Sequence, residues 1–480
     1  MNPAVTVIRG ALIYDGMGSK PYLGDIAMEG DRISAVGNVG KVSPGTTEVK
    51  ASGLAISPGF IDAHTHDDRI VLDAPDMLPK ISQGVTTVIV GNCGISLAPV
   101  VFDRPPPPPM NLLGGREAYS FPTFAGYAEA IKMSPPSVNV AALIGHSALR
   151  LAVLKDITRK ASPGEITLMQ AHADEALANG AAGFSSGLFY PPNAAADEDE
   201  VAQIASRFAK HGGIYATHMR DEFDHVLDSI DETTRTAAAA NIPVVISHHK
   251  CAGPANWGRT QETLPRLETA AASQSLNLDV YPYTAGSTNL RADLVSGELR
   301  IQITWSSPHP EMTGRDLTAV AAEWGCNLQE AARRLDPAGA IYFQMDEADV
   351  RRVMSSKLAM IGSDGLPHDL HPHPRLWGTF PRVIGYYARD LNLFSIETAI
   401  HKMTGLTAKV FGLRDRGRIT EGAFADIVVF DPETILDRAT YEAPLQQSQG
   451  IEQVYVNGIL SFTRRDGVVA RAGRLVGKRN

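Results

Sequence analysis

Eight short apolar runs, separated by stretches that read as helices, constrain this chain more than any other feature. The runs cover 55–61, 85–90, 138–144, 181–184, 214–216, 244–246, 276–280 and 358–361. Near-continuous apolar runs suit strands buried on both faces, and their alternation with helices argues for a parallel sheet with crossover connections. Helix signals fill several of the gaps. Ser162 and Pro163 head one candidate that stops at Gly180, and a second over 197–210 stops at Gly212-Gly213. Eight parallel strands with crossover helices close into a (β/α)8 TIM-like barrel, an α/β fold whose active sites lie at the C-terminal ends of the strands.

The flanks follow a different rhythm. Residues 1–57 carry short β-rich pieces broken by Gly10 and Gly16, with a hairpin around Gly30, and strand-like pieces return at 426–430 and 452–457. The reading is a small β-sandwich module formed from both chain ends, 1–57 with 415–480, beside a catalytic barrel over 58–414. Within the barrel, Pro105 to Pro109 form a stiff loop. Residues 284–357, between the seventh and eighth runs, are too many for an ordinary crossover and predict an inserted helical subdomain, lid-like in position.

Composition narrows the function classes. A net charge of −9 argues against nucleic acid, which selects a basic footprint. Three widely spaced cysteines give no disulfide framework, so a reducing, cytoplasmic setting is expected. The first ten residues lack the pattern of a signal peptide, and no apolar run approaches the ~18 residues of a membrane span. Neither nucleic acid nor a membrane is an expected partner.

Chemistry gathers at the strand ends. The first run leads into Asp62-Ala63-His64-Thr65-His66. Residues two apart on a strand share a face, so His64 and His66 aim at one point and suit a divalent cation such as zinc. The second run ends in Gly91-Asn92-Cys93-Gly94, the fifth in His218, the sixth in His248 and the eighth in Ser363-Asp364. Singly, such a cysteine is usually a small buried apolar group and such histidines are hydrogen-bonded core residues. Together at one barrel mouth, they make a zinc site with a proton carrier. Two other patterns are set aside. Gly183-Phe184-Ser185-Ser186-Gly187 fits a nucleophile elbow, but without the hydrolase sheet around it. His368, His371 and His373 sit among prolines and read as a polar loop, while Asp197 to Glu200 read as a solvated first helical turn.

Pro58 to His66 resembles the first metal motif of the amidohydrolase superfamily, and the ends at His218, His248 and Asp364 match its fifth, sixth and eighth strands. Gly91 to Gly94, Ser247 to Lys250 and the segment 281–288 are similar to those of the N-acyl-D-amino-acid deacylases, and the similarity runs through the whole chain. Hydantoinase-like relatives carry a metal-bridging lysine after strand four; here 183–190 has none. The resemblance implies tight zinc on Cys93, His218 and His248, with His64 and His66 lining a weaker second site. It implies hydrolysis of the amide of an N-acyl-D-amino acid, with Asp364 moving the proton, and Lys250, Tyr281 and Arg375 holding the substrate carboxylate. Tyr190 is a further substrate-binding candidate. Arg291 and Arg300, at the start of the insertion, are expected to face the substrate side chain and favour N-acyl-D-glutamate. The alternatives are a hydantoinase-like enzyme acting on cyclic amides and a non-catalytic scaffold on the same fold.

Overall fold

A computed structural model describes residues 5–477; the extreme ends of the terminal module, 1–4 and 478–480, lie outside the described residues. Eight parallel strands form one sheet in sequential order, running Phe60–Asp62, Val85–Val90, Asn139–Gly145, Gly183–Gly187, Ile214–His218, Val244–Ile246, Leu276–Val280 and Ala359–Ile361. The sheet closes because Ala63 N–H donates to Ile361 O (3.2 Å) and Asp364 N–H to His64 O (2.7 Å). Side chains alternate across the barrel wall. Ile89 joins Ile61, Leu143, Ile214, Val245 and Met360 in one apolar cluster, while Val88 and Val90 belong to the larger cluster shared with the helices. Phe411 and Leu413 join that first cluster from the region of the last helix, Gly405–Phe411.

Local signals explain the crossovers. Pro163–Ala178 begins with a capping box in which Ser162 accepts from the Glu165 N–H and Glu165 reaches back to the Ser162 N–H. Glu198–Ala209 begins at Asp197, whose carboxylate accepts from Glu200 N–H. That first turn is not wholly solvated, as the sequence suggested. Glu200 is buried between His146 Nε2 (3.0 Å) and Arg150, because the opposing helix His146–Val153 supplies a cation that only the fold brings near.

Three sequence readings change. The first run, 55–61, is two strands. Ala55–Pro58 pairs with Ile427–Phe430 in the terminal sheet, and Phe60–Asp62 opens the barrel. Gly59 separates them, where a Cβ would fall 2.0 Å from the Thr86 hydroxyl oxygen. The terminal module is one nine-stranded sheet rather than two hydrogen-bonded apart, since Val5–Ile13 bends at Gly10 and pairs with three neighbours. The segment 284–357 is not purely helical. Gly286–Asn289, Ile301–Ser306 and Ala338–Tyr342 form a three-stranded antiparallel sheet that packs with Leu317–Trp324 and Leu328–Leu335. The polar sequence Gly-Ser-Thr-Asn of its first strand gave no hydrophobic signal.

Candidate metal centre

Each chemical group at the mouth sits where a barrel strand ends and the chain turns hard. Cys93, His248 and Asp364 all adopt left-handed backbone, with φ of 54°, 37° and 50°. Such a conformation costs non-glycine residues ~1–3 kcal/mol and persists only where surrounding contacts over-determine it. Here the strained residues are the ones that point inward.

Cys93 Sγ lies 3.3 Å from His64 Nε2 and 3.4 Å from His248 Nε2. The His218 and His248 rings are 4.5 Å apart, centre to centre. His64 and His66 approach Asp364 Oδ1 with their Nε2 atoms at 3.5 and 3.3 Å. Three overlapping groups could each hold a cation: His64 with Cys93 and His248; His64 with His66 and Asp364; His218 with Glu222 and His248. Both ring nitrogens of His218 and Nδ1 of His66 are buried without a hydrogen-bond partner. Buried imidazole nitrogens are rarely left so unless something else takes them. Burial pushes the Cys93 thiol up, but His64 and His248 outweigh it and hold the group well below its usual range, as a thiolate. Burial likewise opposes ionisation of Asp364, yet Arg375 and His66 keep its carboxyl well below the ordinary value. A thiolate among imidazoles, with a carboxylate alongside, fits zinc.

Behind this set stands a layer that sequence reading missed. Asp279 lies 3.3 Å from His64 Nδ1 and accepts from the His248 N–H (2.9 Å). Glu222 reaches His248 Nδ1 at 3.0 Å and accepts two hydrogen bonds from Lys250 Nζ, at 2.7 and 2.8 Å. Carboxylates on the far ring nitrogen orient a metal-binding histidine and raise its basicity. Below them Lys80, fully buried, donates to Asp62 (2.8 Å), Thr65 (2.9 Å) and Ser363 (2.7 Å) and so joins the first strand end to the eighth. Asp279 did leave a trace, as a carboxylate inside an apolar run. Glu222 and Lys80 left none, because their neighbours are distant in sequence.

The pocket over this centre is lined by His66, His218, His248 and Asp364, with Tyr190, Lys250 and Tyr281 among its walls. Tyr190 Oη is 3.1 Å from Thr288 Oγ1. Arg375, fully buried, pairs with Asp364 Oδ2 at 2.8 Å and stacks 4.6 Å over the Tyr281 ring. The two insertion arginines do not join the pocket lining. Arg300 pairs with Asp316 (3.0 Å) with its side chain 44% exposed, and Arg291 is taken by Asp293 (2.5 Å) and stacks 4.6 Å over Phe189. Each is paired with a carboxylate on its own subdomain, and Arg291 also lies against the pocket-wall residue Phe189. Ser185 and Ser186 lie within a straight barrel strand, not an elbow; Ser185 Oγ accepts from Gly94 N–H (3.0 Å) and Ser186 bonds Thr217 (2.8 Å). His371 is bonded to Tyr441 O at 2.7 Å and His373 Nδ1 accepts from Arg375 N–H at 3.0 Å.

Known proteins resemble this chain along nearly its whole length. The amidohydrolase family model matches residues 47–308 and 309–462. A D-aminoacylase of Alcaligenes xylosoxydans xylosoxydans is 50% identical, over 99% of this chain and 98% of its own. An N-acyl-D-aspartate deacylase of the same organism is also 50% identical, over 94% and 91% of the two chains. The solved N-acyl-D-glutamate deacylase of Bordetella bronchiseptica, complexed with zinc and a phosphonate mimic of the tetrahedral intermediate, superposes with a TM-score of 0.95 at 42% identity. It covers 99% of this chain and 100% of its own.

Proposed function

The chain belongs to the amidohydrolase family, among its N-acyl-D-amino-acid deacylases, and from that premise we propose that it hydrolyses N-acyl-D-amino acids with apolar side chains, using zinc. The observation that carries the metal reading is the Cys93 thiolate set between His64 and His248, with His218 beside it and both His218 nitrogens open. Cys93, His218 and His248 would hold the tight zinc, and His64, His66 and Asp364 a weaker second ion. Bound zinc polarises an acyl carbonyl and lowers the pKa of water from ~15.7 toward ~7.

The protein's own groups do the rest. Lys250, Tyr281 and Arg375 hold the α-carboxylate of the substrate. Asp364, ionised and oriented by Arg375, takes a proton as water adds to the acyl carbon. It delivers that proton to the amide nitrogen as the C–N bond breaks, so the amine leaves neutral and the acyl group leaves as a carboxylic acid, which then gives its proton to the amine or solvent and becomes a carboxylate. His66 supplies a donor for the oxyanion between these events. Glu222 neutralises Lys250 and steadies His248, so the clamp and the metal ligand share one support.

The side-chain reading follows from the pocket wall. Phe189, Leu294, Leu366 and Tyr342 offer an apolar surface; Arg291 stacks on Phe189 but is paired with Asp293, and Arg300 is paired with Asp316. A D-glutamate preference, which needs Arg291 or Arg300 turned to the substrate, is the second reading. A cyclic-amide activity finds no support in the fourth strand, where serines stand in place of a bridging lysine. Because 286–288, Leu294 and Tyr342 of the insertion line the pocket, 284–357 is placed to act as a lid. Three free cysteines, one of them the thiolate ligand, suit a reducing cytoplasm.

The test is kcat/KM of zinc-loaded protein on N-acetyl-D-leucine, N-acetyl-L-leucine and N-acetyl-D-glutamate. The D-leucine substrate should lead. Preference for D-glutamate would overturn the side-chain reading alone, and absence of turnover on any N-acyl-D-amino acid would overturn the whole.

A further inference from the structure

A second cavity opens beside the mouth, with a volume of about 460 Å³. Its walls are Pro105, Pro106 and Pro108, the Trp305 indole, and His368 with Asp369. Leu112 lines both this groove and the catalytic pocket. The partition is braced: Asn289 Nδ2, on the pocket-lining strand Gly286–Asn289, donates to Asn111 Oδ1 at 2.9 Å.

Position around the barrel gives the groove a meaning. An N-acyl-D-amino acid presents three substituents around its amide: the α-carboxylate, the side chain and the acyl group. The proposed carboxylate clamp draws Lys250, Tyr281 and Arg375 from beyond the sixth, seventh and eighth strands. The proposed side-chain wall draws Phe189 from beyond the fourth strand and Leu366 from beyond the eighth, with Leu294 and Tyr342 from the insertion. The groove is built from the loops after the first, second and eighth strands, where Arg69, Pro105 to Asn111 and His368 lie, closed by Trp305 and Pro337 of the insertion. Those three strands are neighbours, because the eighth closes on the first. The acyl group is the substituent left over, and the loops after the first and second strands are ones that neither clamp nor wall uses.

We propose that this groove is the acyl subsite, that it accepts aryl acyl groups, and that Leu112 gates it. The inference rests on the deacylase reading. Proline rings and an indole present flat apolar faces on which an aromatic ring stacks with a gain beyond simple burial. An acetyl group stops at Leu112, whereas a benzoyl group must displace Leu112 and reach Trp305.

The experiment compares N-benzoyl-D-leucine with N-acetyl-D-leucine as a ratio of kcat/KM, in the parent, Leu112→Ala and Trp305→Ala. Leu112→Ala should raise the benzoyl-to-acetyl ratio about 10-fold by opening the gate. Trp305→Ala should lower it about 10-fold, through KM for the benzoyl substrate, a change equal to ~1.4 kcal/mol. A ratio within twofold of the parent in both variants overturns the proposal, as does an equal loss on both substrates in Trp305→Ala. Should Trp305→Ala fail to fold, the Leu112→Ala ratio decides alone. A parent that hydrolyses neither substrate would instead refute the deacylase reading, an outcome distinct from an unmoved ratio.

Discussion

The charges of the mouth and the charges of the insertion obey opposite rules. At the mouth, Lys80 pairs with Asp62, Lys250 with Glu222 and Arg375 with Asp364, and all six side chains are at most 10% exposed. In the insertion, Arg300 pairs with Asp316 and Arg315 with Glu323, and all four side chains are 37% exposed or more. Surface pairs contribute roughly 0–1 kcal/mol and can be lost with little effect. Buried pairs seldom add net stability over apolar residues, but removing one partner leaves a bare charge at ~3–5 kcal/mol. Buried pairs that brace the candidate metal-site histidines and Asp364 therefore read as tools of position, and the exposed pairs as ordinary surface.

The sharpest way to break this contrast is at Asp364, the proposed proton carrier. Asp364→Asn keeps the shape, and turnover should fall at least ~100-fold, the low end for acid–base catalysis, with the tightly held zinc retained. Near-parent turnover would remove Asp364 from its role. Cys93→Ala should lower bound zinc and activity together, measured by elemental analysis beside kinetics; full zinc with normal rate would dismiss the thiolate as a ligand.

Next in size is Lys80→Met, which leaves Asp62 buried beside an apolar chain. Chemical denaturation should show a loss of ~3–5 kcal/mol. Arg300→Ala is its surface counterpart and should shift stability by no more than about 0.5 kcal/mol. Equal losses would mean that burial does not separate the two classes.

The smallest effect concerns acid. Burial raises the Glu200 carboxyl, but His146 and Arg150 outweigh that and bring it down to about 2. A depressed carboxyl contributes stability above its unfolded value near 4.5, and that contribution fades as pH falls toward about 2. Thermal melts from pH 6 to 3 should therefore show a steeper acid decline in the parent than in Glu200→Gln. Parallel declines would count against the pairing.

The sequence by itself determined the barrel, because eight buried parallel strands must be written as apolar runs with helices between them. It also put the candidate ligands at the strand ends: His64, His66, Cys93, His218, His248 and Asp364 stand where apolar runs stop. Tertiary structure alone decided three things. It split 55–61 between two sheets, since Ala55–Pro58 has a partner, Ile427–Phe430, that lies hundreds of residues away. It set Lys80, Glu222 and Asp279 behind the mouth, because a buried charge is defined by what surrounds it rather than by its own neighbours in the chain. And it paired Arg291 with Asp293 and Arg300 with Asp316, since a long cation takes the nearest carboxylate, and in both cases the insertion already supplied one.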